Sequence, residues 1–442
     1  MRTAILCILV CLQMMCAAAL ADILVVYPDG HGPYPTIQDA LDAAAPADTV
    51  HLADGTFTGP GNRDLDYNAK ALLVTSQSGE TELCIIDCEG SEADPHRGFI
   101  FQSGETADAR MERVTIRGGY LSGSYPDGAG GAILCVGTQP TIRHCIFMSN
   151  HAEQGGGIYT WGYNNTIADC IFIENTSGSS AGALTLGAST GAVDHCVFAR
   201  NTAPVAASLI AVGSTVTVSH CTFVCNESQF GNSIISGQSS HTVVLNCISA
   251  FGGLGSAIDC SMDGTIELSC CDIYGNAGGN WVGCIAGQYG INGNISEDPL
   301  FCDLPNGDFS LAADSPCAPF SPPNPECDLI GFAGIGCAAQ DVTAPVVQRG
   351  DVRLALEPNP CIIGTTILLS APITQGVRFH LVIYDASGRT IRQWIPAASP
   401  GGTLRTAWDG TDQSGQAVAS GVYFVRASMG GASATQPLLL VR

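Results

Sequence analysis

One phrase, Cys-x-Phe-x-x-Asn, recurs about every 25 residues between Arg143 and Asn276, and a chain with that period has few folds open to it. Four copies are complete, with Cys145, Phe147 and Asn150, then Cys170, Phe172 and Asn175, then Cys196, Phe198 and Asn201, then Cys221, Phe223 and Asn226; decayed copies begin at Cys247 and Cys271. Between them lie small-residue turns feeding apolar runs, such as Gly130-Gly131-Ala132-Ile133-Leu134 and Gly155-Gly156-Gly157-Ile158-Tyr159. Each repeat therefore reads as two or three short strands with no helical period. Such a unit cannot bury its apolar side chains alone, so the repeats must stack. The leucine-rich frame is absent, and propeller blades need about 40 residues. What remains is all-β: a right-handed parallel β-helix of about ten or more coils.

Stacking sets equivalent residues one strand spacing apart, roughly 4.8 Å. The Phe column then fills the interior, and Asn150, Asn175, Asn201 and Asn226 can chain their amides from coil to coil. Asn175-Thr-Ser177 and Asn226-Glu-Ser228 also spell the glycosylation sequon, but the ladder has first claim on both residues. The cysteine column Cys145, Cys170, Cys196, Cys221, Cys247 and Cys271 is spaced wider than the roughly 3.5–4.5 Å between Cβ atoms of a relaxed disulfide, so it reads as buried thiols. Cys84 with Cys88, and the group Cys302, Cys317, Cys327 and Cys337, are the bridge candidates, because they lie in loop-rich ends. No Cys-x-x-Cys occurs, so no structural zinc site is expected.

Residues 1–21 read as a secretory signal peptide, with Arg2, an apolar run from Ala4 to Met15 and Ala19-Leu20-Ala21 before the cleavage point. The expected location is extracellular or at a bacterial cell surface, where disulfides persist. No later stretch is long enough to span a bilayer. The formal net charge of −23 argues against nucleic acid, and Lys70 is the chain's single lysine.

At the start of the mature chain, Ile23–Val26, residues 34–43 and residues 48–52 read as strand, short helix, strand, capping the open end of the solenoid. Here Pro35-Thr-Ile-Gln-Asp-Ala-Leu41, Asp48-Thr-Val50 and Ala53-Asp-Gly-Thr-Phe57 resemble the entry to the pectin-lyase-like β-helix superfamily. The Gly-Gly-Ala-Ile and Phe-x-x-Asn phrases resemble the repeats of polymorphic outer-membrane proteins, although the residues after Gly350 lack the strands of a membrane barrel. The β-helix is expected over 22–340, its last coil and cap including Asp298–Phe301, Phe309–Leu311, Asp314–Cys317 and Leu329–Gly331. A linker follows over 341–350, and a β-sandwich over 351–442. In the last, Pro358-Asn-Pro360, Ile383-Tyr-Asp-Ala-Ser-Gly-Arg389, Ala407-Trp-Asp-Gly410 and Ser420-Gly-Val-Tyr-Phe424 resemble the immunoglobulin-like domain of flagellar hook-capping proteins and some secretion-sorting domains.

The superfamily hosts polysaccharide lyases and glycosidases, so catalysis has to be weighed. A glycosidase needs two carboxyls roughly 5–9.5 Å apart, and Asp169 with Asp194, on adjacent coils, are the candidates. A lyase would use carboxylate-bound calcium and a basic residue, for which the repeats offer Arg143 and Arg200; no other cofactor is expected. Before the cysteine column runs a polar set, His144, Asp169, His195, His220 and Asn246. It is either a solvated stripe or, through His144, Asp169, His195 and His220, a set of metal ligands. Because Ile142 and Cys145 cannot both face inward on an unbroken strand, a bend is expected between them. Trp161, Tyr163, Tyr120 and Tyr125 lie in turns and a lengthened loop, where they either pack on the next coil or offer faces to sugars. Asp409 and Asp412 lack EF-hand spacing and read as a tight turn. Asp87–Gly90 and Asp94–Arg97 read as cap loops. The function these features favour is a binding or adhesive scaffold toward polysaccharide or a cell-envelope component, with the terminal domain serving attachment or sorting; an extracellular lyase or glycosidase is the alternative.

Overall fold

The computed structural model describes residues 21–339, 353–357, 365–370, 380–385, 389–394, 403–429 and 432–440. The expected signal peptide up to Leu20 and the expected linker, 341–350, lie outside the described residues. The chain divides into two compact units, at residues 340 and 341.

The first unit is a parallel β-solenoid. Each coil contributes one strand to each of three long sheets, as in Thr141–Arg143 to sheet 1, Ile146–Met148 to sheet 2 and Ile158–Tyr163 to sheet 3. Sheet 1 has ten strands, sheet 2 nine and sheet 3 eight. Pairing is in register, so that Phe147 lies beside Phe172, Phe172 beside Phe198, and Phe198 beside Phe223. The rings stack at 4.9, 4.8 and 4.8 Å and are buried. That spacing is the strand repeat itself, which lets offset aromatic stacking continue from coil to coil. In the next coil Ser249 takes the ring's place beside Phe223, its hydroxyl bonded to that of Ser233.

Asn150, Asn175, Asn201 and Asn226 form the expected ladder. The side-chain NH2 of Asn150, Asn175 and Asn201 donates to the next amide oxygen at 3.0–3.1 Å and to a backbone carbonyl of the preceding coil, and that of Asn226, the last rung, donates to the Phe198 carbonyl. Both sequon asparagines are buried, with the Asn175 NH2 donating twice and the Asn226 NH2 bonded to the Phe198 carbonyl, so neither presents a glycan acceptor in the folded chain.

Strands Ile23–Val26 and Thr49–Leu52 pair in parallel at the start of sheet 1. Between them, helix Ile37–Ala43 buries Ile37, Ala40 and Leu41 over the core, its first turn closed by a capping box of Thr36 and Asp39. The far end differs from expectation. Trp281 packs against the core, and Ile285, in the short helix Gly283–Gln288, is buried in it. Residues beyond 295 then double back along the outer face of sheet 2. There Phe301, Phe309, Leu311, Cys317 and Ile330 pack on Val197, Val224, Ile248 and Ala250. The reason lies in the strands: Val197–Ala199, Thr222–Val224 and Ile248–Ala250 are buried at every position, as strands covered on both faces are.

The disulfides also correct the expectation. Cys302 bonds Cys337, but Cys327 bonds Cys270 and Cys284 bonds Cys260. Cys84 and Cys88 are free and buried. Four residues apart along extended chain, they stand about 13 Å apart, beyond any bridge. Cys317 is also free, its thiol donating to Asp272 Oδ2 at 3.2 Å. The six-membered cysteine column is free and buried throughout.

The second unit has two antiparallel sheets. One contains Arg353–Glu357, Thr365–Ser370 and Thr403–Trp408; the other contains Thr390–Trp394, His380–Asp385, Gly421–Met429 and Ala432–Leu440. Ile367 and Trp408 of the first sheet share a core with Leu381, Ile383, Tyr423, Val425 and Leu438 of the second. Asp409 and Asp412 accept hydrogen bonds from Thr411 and Ser414 within the intervening turn. The Pro358–Pro360 motif and the start of the expected 377–384 strand, 377–379, lie outside the described residues.

Candidate functional site

Two surfaces of the solenoid gather the residues singled out above. The first is the corner between sheets 1 and 2. The bend between Ile142 and Cys145 is made by one residue in the left-handed backbone region, and the same holds on successive coils. Arg113, His144, Asp169, His195, His220, Asn246 and Cys270 all have φ between +47° and +56°. Asn, Asp and His tolerate this conformation better than other side chains, which accounts for the composition of the polar set. Sequence reasoning missed Arg113 and Cys270 as members, because their residue types break the pattern.

The column is not one continuous site. Asp169 accepts from Arg143 Nη2 at 3.0 Å, with His144 Nε2 at 3.7 Å. One coil on, Asp194 stands at the end of strand Ala192–Asp194, immediately before the corner. His195 Nδ1 lies 3.3 Å from one of its carboxylate oxygens and His220 Nδ1 lies 3.4 Å from the other. The two imidazoles stack at 4.8 Å with planes 17° apart. One ligand atom from each of Asp194, His195 and His220 falls within 4.8 Å of the others. Partial burial raises the Asp194 pKa, but the Ser219 hydroxyl, donating at 2.6 Å, and the two histidines outweigh it and hold the carboxyl low. A general acid needs the opposite. Asp169 and Asp194 thus sit on adjacent coils with separate partners. Arg200, the other basic candidate, donates to the carbonyls of Leu304 and Pro305 in the doubled-back segment.

The second surface is the outer face of sheet 3. Six consecutive strands, Phe99–Phe101, Ile133–Val136, Ile158–Tyr163, Leu184–Ser189, Leu209–Val212 and Gly231–Gly237, carry no charged side chain. Asp66 and Asp259 bound this stretch on the neighbouring strands. On the strand Ile158–Tyr163, Tyr159 and Trp161 point outward with planes 7° apart and centroids 6.4 Å apart. Trp161 lies across Gly187 of the next coil, where an added Cβ would meet its ring at 2.1 Å. Tyr125 reaches over from its loop to within 5.5 Å of Tyr159. Trp161 is 40% exposed, Tyr125 45% and Tyr163 63%. Tyr163 turns off the strand end beside Gly137. Tyr120 stands apart, stacked on His151 at 4.6 Å. Tyr159 and Gly187, which complete the platform, were not singled out in the sequence; their position next to Trp161 appears only once coil register is known.

Residues 71–249 match the family model of a right handed beta helix region, and residues 364–433 match that of a FlgD Ig-like domain. The protein is therefore a right-handed parallel β-helix joined to a C-terminal immunoglobulin-like domain of the FlgD type. No curated protein matches the chain. Among the described residues, no helix is long and apolar enough to cross a membrane.

Proposed function

We propose that this β-helix protein is secreted and acts as a binding or adhesive scaffold for neutral carbohydrate, through the outer face of sheet 3. The observation that carries the reading is Trp161, held flat over Gly187 beside Tyr159 and Tyr125 in a stretch of six uncharged strands, on a chain of net charge −23. Flat, partly wet aromatic faces fixed on a rigid sheet suit the apolar faces of sugar rings and cost little ordering entropy. Acidic polymers would be repelled by the rest of the surface. Secretion rests on the leader at 1–21. Cleavage after Ala21 fits the fold, because the Asp22 amide already donates to the buried Asp48 carboxylate at 2.8 Å, where a new ammonium would sit.

The test is an array of neutral glucans, galactans and mannans probed with the mature chain and with Trp161→Ala. The expected result is saccharide binding that the substitution weakens several-fold to about tenfold, an aromatic contact being worth about 0.5–1.5 kcal/mol beyond the area it buries, with an unchanged thermal midpoint. No binding to any neutral saccharide, or binding indifferent to Trp161, would discard this face as the site.

A further inference from the structure

We propose that Asp194, His195 and His220 form a surface site for one borderline divalent transition-metal ion, of the Zn2+ class. Three independent features of the corner point there. The 3.3 and 3.4 Å separations between the carboxylate oxygens and the two Nδ1 atoms are slack for N–H···O hydrogen bonds, which prefer about 2.9 Å. Each, measured to its own oxygen, matches one edge of a tetrahedral ion, since metal–ligand bonds of about 2.0–2.1 Å set neighbouring ligand atoms about 3.3 Å apart, and one ligand atom from each of the three residues lies within 4.8 Å of the others. Next, the left-handed backbone at both His195 and His220 sends the two imidazoles off the corner in parallel, so both Nδ1 atoms face the one carboxylate. Finally, the Ser219 hydroxyl fixes Asp194 by donating to Oδ1 at 2.6 Å, as outer-shell donors orient ligating carboxylates.

The corner backbone explains why histidines occur in this column, but it does not explain Asp194, which lies one residue before the corner. Two nitrogens and one carboxylate suit zinc-like ions and do not suit calcium, which takes six to eight oxygens. The three side chains are between a third and a half exposed, leaving the remaining coordination positions to water or to a ligand. The neighbouring coil is excluded, because the Arg143 guanidinium already neutralises Asp169 and would repel a second cation.

The test uses the full mature chain, stripped of metal and titrated with Co2+ and Zn2+. One equivalent should bind, with cobalt absorption of nitrogen–oxygen type and without a thiolate charge-transfer band. His195→Asn and His220→Asn are the informative variants, because Asn occupies the same left-handed corner at Asn246 and so preserves the backbone. Each should weaken binding by about tenfold or more, at least what disturbing a ligand's outer shell costs. His144→Asn should leave it unchanged, and all three should keep the metal-free melting temperature. Absence of stoichiometric binding, a thiolate band, or binding that survives the double variant His195→Asn/His220→Asn would overturn the site.

Discussion

Phe172 and Glu174, two residues apart, show how sharply the solenoid separates its inside from its outside. Phe172 is fully enclosed between Phe147 and Phe198, whereas Glu174 is exposed at a corner with φ +56°. Phe172→Ala should cost about 3–5 kcal/mol by opening a cavity that a register-locked stack cannot collapse around. Glu174→Ala should cost little, since Ala adopts the same left-handed backbone no worse than Glu does. Urea unfolding followed by circular dichroism compares the two, and equal small losses would mean that the stack adds nothing to stability. At this scale the sequence was highly legible. A period of about 25 residues put Phe over Phe and Asn over Asn, and both columns follow from that spacing. The bend at His144 was legible as a necessity, because Ile142 and Cys145 could not otherwise both face inward. Its left-handed form, and hence its link to the His, Asp and Asn residues, needed coordinates.

Among the elements, the doubled-back segment was the least legible, although a signal for it existed. Val197-Phe198-Ala199 and Ile248-Ser249-Ala250 lack the polar alternation of a one-sided strand, and the small and apolar residues flanking the core position announced a cover. Asp272 is the exception in that column, occupying the position of Ile248 and buried under the segment. Its carboxyl accepts from the Glu297 amide at 3.0 Å and from the Cys317 thiol. Burial pushes its pKa up to about 7 from an ordinary 3.8, with the nearby Glu297 and Asp298 carboxylates acting in the same direction and the two hydrogen bonds opposing. The folded chain therefore holds a proton that the unfolded chain has already released between about pH 4 and pH 7. Stability from this group is greatest below about pH 4, declines as pH rises to about 7 and then levels off. Asp272→Asn keeps a neutral acceptor in place. It should flatten that decline and stabilise this segment above pH 7 by no more than about 4 kcal/mol. Melting curves from pH 4 to pH 8 check this, and an unchanged slope in the variant would place the titrating group elsewhere.

For the whole molecule, a solenoid's coils contact only their neighbours, so stability is distributed along it and not pooled. Among the described residues the three disulfides are distributed unevenly: Cys260–Cys284, Cys270–Cys327 and Cys302–Cys337 all lie beyond residue 256, at the end where the Phe stack and the Asn ladder have given out. Ser249 replaces the ring there, and a small apolar void lined by Phe223, Ile234, Val244, Ile258 and Ile273 opens beside it. The crosslinks thus reinforce the coils whose internal columns are weakest, and they pin the doubled-back segment through Cys270–Cys327. Pairing was not legible from sequence, because Cys260 and Cys270 lie among the coils while their partners lie 24 and 57 residues away, outside the repeating strands. Reduction should therefore act locally. After treatment with a thiol reductant, hydrogen exchange should accelerate across 256–337, while the coils holding Phe147, Phe172 and Phe198 keep their protection, their thiols being free already. Exchange that rises equally along the solenoid would mean that the coils unfold as one cooperative body, and that the crosslinks stabilise all of it.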